Sequence, residues 1–281
     1  GHSGSLSVFR QTTFTRRAKL MTSVNNKTVW LTGASSGIGL ALAGQLANQG
    51  ARLILSSRRE QQLEELRQSL PNSAQHQVLA LDLSQPEKAK ETASAALKNT
   101  SVDILINNAG VSQRSLAMET DLTVYRALME VDYFSVVALN QVVLADMVKR
   151  RNGHIVTVSS VAGKVGTKLR SGYSGAKFAV IGYMDCLRAE MAEHNVRCTT
   201  VLPGFVHTQI AHNALTGDGS LRGKEDQDNA SGISPEQCAA DIIRAIESNK
   251  AEVISGKGMS KVAPLLQRFF PGLLRKMLAN R

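Results

Sequence analysis

From residue 27 onward the sequence repeats one unit: a short apolar run followed by a stretch of helical periodicity. The runs at 28–31, 52–56, 77–81, 104–106, 154–158, 197–201 and 252–254 read as buried strands. Helical patterns fill the intervals at about 38–49, 60–70, 86–98, 121–150, 174–194 and 235–248. Such alternation means an open parallel sheet covered on both faces, and right-handed crossovers restrict its topology. The expected fold is α/β and doubly wound, with about seven strands in the order 3-2-1-4-5-6-7. Pro86 and Pro235 stand near helix starts, where proline is tolerated. Asp82, Ser84 and Ser234 are candidate caps beside them. The stretch 212–234, rich in Gly, Asp, Asn and Ser, reads as a mobile loop.

No internal repeat or linker divides the chain, so 25–256 reads as one domain. No unbroken apolar run reaches the roughly 18 residues that span a bilayer. Cys186, Cys198 and Cys238 form an odd, sparse set without a CxxC. They argue against a disulfide framework or a zinc site and suit a reducing, cytoplasmic compartment. The net charge is +10, but residues 1–20 carry four of those charges and 257–281 carry six, with no acid in either segment. The basicity therefore belongs to the ends, which argues against a nucleic-acid enzyme. Gly1-His2-Ser3-Gly4-Ser5 resembles a cloning remnant, and Met21 suits a natural start. Residues 1–24 read as a tag or disordered extension, with an Arg-containing, acid-free targeting segment as the alternative.

The first strand runs into Thr32-Gly33-Ala34-Ser35-Ser36-Gly37-Ile38-Gly39 and then a helix. Glycines in that place allow a tight turn and close approach of a pyrophosphate. The helix start behind them offers free N–H groups and a positive dipole end. Gly33, Ser35, Ser36, Gly37, Ile38 and Gly39 are therefore candidate cofactor contacts on a Rossmann-type sheet. Strand two ends in Ser56-Ser57-Arg58-Arg59, with no acid at 52–59. An acid there would suit the ribose hydroxyl of NAD(H), whereas Arg58 and Arg59 suit the 2′-phosphate of NADP(H), the preferred cofactor. Leu81-Asp82-Leu83 and Asn107-Asn108-Ala109-Gly110 end strands three and four at the same crevice. Asp82 could accept from an adenine amino group or cap a helix, and the Asn amides can tie strand ends together.

Tyr173 and Lys177 stand four apart, thirteen residues beyond Ser160. Residues i and i+4 share a helix face. An ammonium beside a phenol favours phenolate, and such a tyrosine can pass a proton to or from a substrate oxygen.

Together these pieces resemble the short-chain dehydrogenase/reductases. The resemblance rests on Thr32-Gly33-xxx-Gly37-x-Gly39, Asn107-Asn108-Ala109-Gly110, Ser160, Tyr173-xxx-Lys177 and Pro203-Gly204-Phe205-Val206-His207-Thr208, in that order over about 25–256. Phrases such as Gly153-His154-Ile155-Val156 and Asp185-Cys186-Leu187-Arg188-Ala189-Glu190-Met191 are similar to the branch that holds dehydrogenase/reductase member 7B and the 11β-hydroxysteroid dehydrogenases. The resemblance implies hydride transfer between NADP(H) and a carbonyl or alcohol. It implies Tyr173 as acid/base, Ser160 as holder of the reacting oxygen (Ser159 being the alternative), and Lys177 on both the tyrosine and the nicotinamide ribose. It also implies Thr208 on the nicotinamide carboxamide, with Pro203, Gly204 and Val206 beside it, and a homodimer or homotetramer through the helices near 121–150 and 174–194.

The family carries an asparagine in the long helix before strand five, where this chain has Asp132. If the backbone does that residue's work, Asp is tolerated. If the side chain matters, an ionised Asp only accepts hydrogen bonds, and the protein could be an NADP(H)-binding regulator or scaffold with little turnover. Val161, Val165 and Leu169 near the expected pocket favour a small, uncharged, apolar carbonyl or alcohol. Beyond 256, apolar residues from Val262 to Leu278 recur at helical spacing with a basic polar side, and Pro271-Gly272 divides them into two short helices. That tail reads as a cover for the cleft or a partner, or as a peripheral contact with anionic lipid.

Overall fold

A computed structural model describes residues 23–280; the remnant-like stretch and the acid-free segment after it, residues 1–20, lie outside the described residues. Strands β1 (Thr28–Thr32), β2 (Arg52–Ser56), β3 (Gln77–Val78), β4 (Ile104–Asn107), β5 (Gly153–Val158), β6 (Val196–Pro203) and β7 (Glu252–Ser255) pair in parallel. Their order is β3-β2-β1-β4-β5-β6-β7, as the alternation predicts. Along β1, Val29 and Leu31 point to one face and Trp30 to the other, the period-two alternation of a strand. The first face buries Leu53 and Leu55 against Leu42 and Leu46 of α1 (Gly37–Asn48), Leu63 of α2 (Glu60–Ser69), and Ile242 and Ile246 near the C-terminal end of the chain. The second face buries Trp30, Ile54, Leu105 and Ile155 under Ala89 and Ala93 of α3 (Pro86–Ala96) and a pair of long helices that follow. Both faces are covered, so the strands are apolar on both sides.

The expected helix at 121–150 is three pieces: α4 (Leu122–Met129), a wide π turn (Glu130–Phe134), and α5 (Ser135–Arg150). The π turn inserts one extra residue and carries Asp132; such bulges recur at functional sites. The run Leu122–Arg150 is long enough to cross a membrane and contains an 18-residue window apolar enough to do so, with a mean hydropathy of 1.4. Counting unbroken apolar runs does not register it. In the fold it packs on α3, on the sheet and on α6 (Ser171–Met191).

The remaining helices are α7 (Gln227–Ala230), α8 (Pro235–Glu247), α9 (Met259–Phe269) and α10 (Pro271–Ala279). Ser234 caps α8 as expected, its hydroxyl accepting from the Gln237 N–H at 3.1 Å. α3 differs: its N-cap is Gln85, with no side-chain bond, because Asp82 and Ser84 bond each other. The strand expected over 77–81 is only two residues long, although the Leu79 and Leu81 N–H groups still donate to the carbonyls of Leu55 and Ser57, each at 2.9 Å. The stretch 212–234, expected as a mobile loop, contains α7 and the bridges Gln113–Leu215, Val206–Ile233 and Leu215–Leu221. The break at Pro271-Gly272 falls where expected, and across α9 and α10 Ser260 and Leu274 are the buried residues.

Candidate active site

The crevice begins where β1 turns into α1. Gly33 has φ +63°, and a Cβ on it would lie 2.9 Å from the Ala109 Cα. A Cβ on Gly39 would lie 2.0 Å from the Gly33 carbonyl oxygen. These two positions accept no side chain, because main chain packs directly on main chain. The Asn108 amide donates to the carbonyls of Thr32 at 3.0 Å and Gly33 at 3.3 Å, tying β4 to the turn. The Thr32 hydroxyl accepts from the N–H groups of Asn108 and Ala109 at 3.0 and 3.1 Å. Asn107 faces the other way, toward Asn140 at 2.9 Å. Ser36 is the N-cap of α1 and makes no capping bond with its side chain, so the first N–H groups of the helix remain open to a ligand.

Arg58 and Arg59 lie exposed just after β2. Asp82 takes the Ser84 N–H at 3.0 Å and the Ser84 hydroxyl at 2.7 Å. Those bonds, with Arg58 nearby, hold its carboxyl below the usual range. It thus braces its own turn rather than α3. Leu83 is buried beside it.

Across the sheet, Tyr173, Lys177 and Asp132 lie together. Tyr173 and Lys177 are buried on one face of α6. The Lys177 Nζ stands 5.7 Å from the Tyr173 ring centroid, donates to the Val158 carbonyl at 3.2 Å, and lies 3.8 Å from Asp132 Oδ1. Asp132 is sealed in: Oδ1 accepts from the Val111 N–H at 2.9 Å, and Oδ2 has no partner among the described residues. Burial pushes its carboxyl up to about 6, with Lys177 and the Val111 N–H pulling the other way. A Cβ on Gly110 would lie 2.9 Å from Asp132 Oδ1 and 3.2 Å from Lys177 Nζ, so the end of the β4 motif runs directly beside this pair.

The two serines at the end of β5 have separate tasks. Ser159 donates to the Lys177 carbonyl at 3.0 Å and so is spent on the backbone of α6. Ser160 accepts from the Ala162 N–H at 3.0 Å and reaches the Pro203 carbonyl only at 3.4 Å. After Pro203 and Gly204, the buried Val206 accepts from Asn229 at 3.3 Å. Thr208 closes on the glycine turn, its methyl 3.1 Å from where a Cβ on Gly37 would sit.

Two sets of residues here escape a reading of spacing. Gln113, fully buried, accepts from the N–H groups of Gly172 at 2.7 Å and Tyr173 at 3.3 Å, while its amide donates to Ser115 and Thr120. It fixes the start of the helix that carries Tyr173. Arg114, Arg170 and Arg222 gather on Asp226. The only sequence hint of the first was a glutamine soon after the Asn-Asn-Ala-Gly motif, and no periodicity links the second.

Comparison with known proteins places this geometry. The short chain dehydrogenase family profile matches residues 27–218. The chain is 39% identical to the Bos taurus protein named dehydrogenase/reductase SDR family member 7B, over 92% of this chain and 82% of that one. It is 38% identical to a Drosophila melanogaster dehydrogenase/reductase SDR family protein 7-like, over 94% and 82% respectively. Among solved structures, a short chain dehydrogenase from Burkholderia cenocepacia J2315 in complex with NADP superposes with a TM-score of 0.76 at 23% identity, covering 92% of this chain and 99% of that one. One from Burkholderia phymatum in complex with NAD superposes at 0.77 and 22% identity, covering 90% and 96%. A parallel sheet in this order, a glycine-bearing turn after its first strand and the matching run over most of the domain have one common explanation: the chain belongs to the short-chain dehydrogenase/reductase family of oxidoreductases.

Proposed function

We propose that the protein is an NADP(H)-dependent oxidoreductase that interconverts an apolar ketone or aldehyde and its alcohol, with Tyr173 as the acid/base. The observation that carries this is the buried Lys177 ammonium 5.7 Å from the Tyr173 ring, on the carboxyl edge of the sheet that also holds the glycine turn. The dinucleotide fits the residues present: the start of α1 carries no side-chain cap, and the glycine turn before it sits at the carboxyl edge of β1 beside the end of β4. Gly33, Ser35, Ser36, Gly37, Ile38 and Gly39 would hold the pyrophosphate, and Asp82, Leu83, Asn108, Ala109 and Gly110 the adenosine side and crevice floor. Pro203, Gly204, Val206, Thr208, Tyr173 and Lys177 would hold the nicotinamide side. Arg58 and Arg59 would hold a 2′-phosphate, which supports NADP(H) over NAD(H). When bound, the nicotinamide gives or takes the hydride.

The chain's own residues manage the oxygen. Tyr173 donates a proton to it in reduction and removes one in oxidation. Ser160 steadies it, since Ser159 is committed to the α6 backbone. Lys177 holds its ammonium beside the Tyr173 ring and would hold the nicotinamide ribose, and Asp132 stands behind Lys177 as a positioning residue. Tyr173→Phe should lower turnover at least about a hundredfold, the ordinary contribution of acid–base catalysis, while NADPH binding persists. Persisting turnover would exclude the assignment.

A second reading has support from the Asp132–Lys177 contact of 3.8 Å, which neutralises the cation the tyrosine needs. In that reading the protein binds NADP(H) and regulates or scaffolds. NADPH binding without oxidation across steroids, quinones, aromatic aldehydes, 3-oxoacyl thioesters and retinal would favour it. Exposed Phe134 and Phe178 on the long helices support a homodimer or homotetramer through that face. Exposed Leu265, Phe269, Phe270 and Leu273, with cations and no acid around them, support a peripheral lipid contact of the tail.

A further inference from the structure

Three guanidiniums share one carboxylate on the substrate side of the crevice. Arg114 grips Asp226 Oδ2 through Nε at 2.7 Å and Nη2 at 2.6 Å, and spends Nη1 on the Ser112 hydroxyl and the Gln113 carbonyl. Arg222 takes the other oxygen, Oδ1. Arg170 is left with a contact of 3.7 Å to Oδ2, the oxygen Arg114 already holds. It makes no side-chain hydrogen bond among the described residues, although its side chain is only 16% exposed. Its guanidinium lies over the Phe205 ring, 5.4 Å from the centroid. Even with exposed Asp228 nearby, three cations face two anions. Burial first, and Arg114 second, lower the affinity of Arg170 for its proton. None of its nitrogens is sealed from solvent, so its unfilled donors can take an incoming anion.

Its position gives that anion a role. Arg170 immediately precedes α6, three residues before Tyr173, and the two side chains interact electrostatically. Phe205 belongs to the segment that ends at Thr208. A guanidinium is a flat fork matched to carboxylate and phosphate oxygens. We infer that Arg170 is a subsite for an anionic oxygen group of the substrate, so that the substrate is an amphiphilic carbonyl compound: an apolar body bearing a carboxylate or a phosphate. This rests on the oxidoreductase reading and alters its expectation of an uncharged substrate.

The test is titration of the NADPH-loaded, full-length protein with three ligands of one chain length: a keto acid, a keto-alkyl phosphate and the methyl ester of the acid. Calorimetry reads affinity and NADPH absorbance reads turnover. At least one anion should bind about tenfold or more tightly than the ester, the scale of one charge-assisted fork, and the better of the two identifies the group. Arg170→Gln should bring that ratio close to one, and Arg170→Lys should restore part of it. Equal affinity of all three ligands for the wild type would overturn the inference. So would an unchanged ratio in Arg170→Gln with only a lowered melting temperature, the mark of a tether. Anion-selective binding with no turnover of any ligand would uphold the subsite and count against the oxidoreductase reading instead.

Discussion

The two halves of the carboxyl edge are made of different material. Above β1 and β4 the crevice is main chain on main chain: Gly33 against Ala109, Gly39 against the Gly33 carbonyl, with Thr32 and Asn108 tying the two strand ends across 76 residues of sequence. Above β5 and β6 it is side chains brought from far apart. Gln113 reaches 59 residues along the chain to Gly172, and Arg114 reaches 112 to Asp226. The first half presents N–H groups that suit a phosphate on any molecule; the second presents specific charges and hydroxyls. Binding a cofactor shared by many enzymes needs only the first kind of surface.

The contrast breaks most sharply at Gly39. Gly39→Ala would force a methyl to 2.0 Å from a carbonyl oxygen that belongs to backbone and cannot swing aside. We expect loss of NADPH binding and destabilisation of about 3 kcal/mol or more, at the upper end of overpacking costs, read by denaturant unfolding and cofactor fluorescence. Gly44→Ala, on the same helix, meets nothing within 4 Å. It should be neutral or stabilise by up to about 1 kcal/mol. If both variants behaved alike, the claim that main-chain contact builds this half would fail.

A smaller loss should follow in the other half. Gln113→Ala would strand the Gly172 N–H and leave Ser115 and Thr120 short of a donor. Leaving buried groups unsatisfied costs about 1–3 kcal/mol. Because Gln113 sits at the start of α6, the loss should fall on kcat more than on the affinity for NADPH. A fall in NADPH affinity with kcat intact would show that the two halves are not separable.

This division also explains what could be read from residues alone. The sheet order followed from strand–helix alternation, because each strand's two apolar faces and its crossover are local properties. The glycine turn, the end of β4 and the Tyr173/Lys177 pair lie within runs of a few residues, so spacing captured them. What escaped depends on folding distant segments together: Gln113 under α6, the Arg170 cluster and the shortened edge strand β3. The π turn escaped for another reason. Inserting one residue in a helix leaves the apolar pattern of 122–150 nearly intact, and only the hydrogen bonding changes.

Asp132 offers the finest test, because its effect is a slope rather than a loss. Its folded-state carboxyl sits at about 6, while an unfolded aspartate titrates near about 3.9. Between those values the folded chain keeps a proton that the unfolded chain has released. Stability therefore falls as pH rises through that window, and the penalty is complete above about 6. Two pH units correspond to roughly 2–3 kcal/mol. Buried His154, pushed down to about 3 chiefly by burial, does the opposite: it stays neutral when folded, so acid erodes stability as pH falls below the ordinary histidine range. The two trends overlap in wild type and blur each other. Subtracting the unfolding free energy of Asp132→Asn from that of wild type removes the His154 contribution. The difference should shift by about 2 kcal/mol against wild type between pH 4 and 7. A flat difference would mean that the Lys177 contact fully compensates the buried carboxylate, and the substrate half would then hold its charges as comfortably as the nucleotide half holds its backbone.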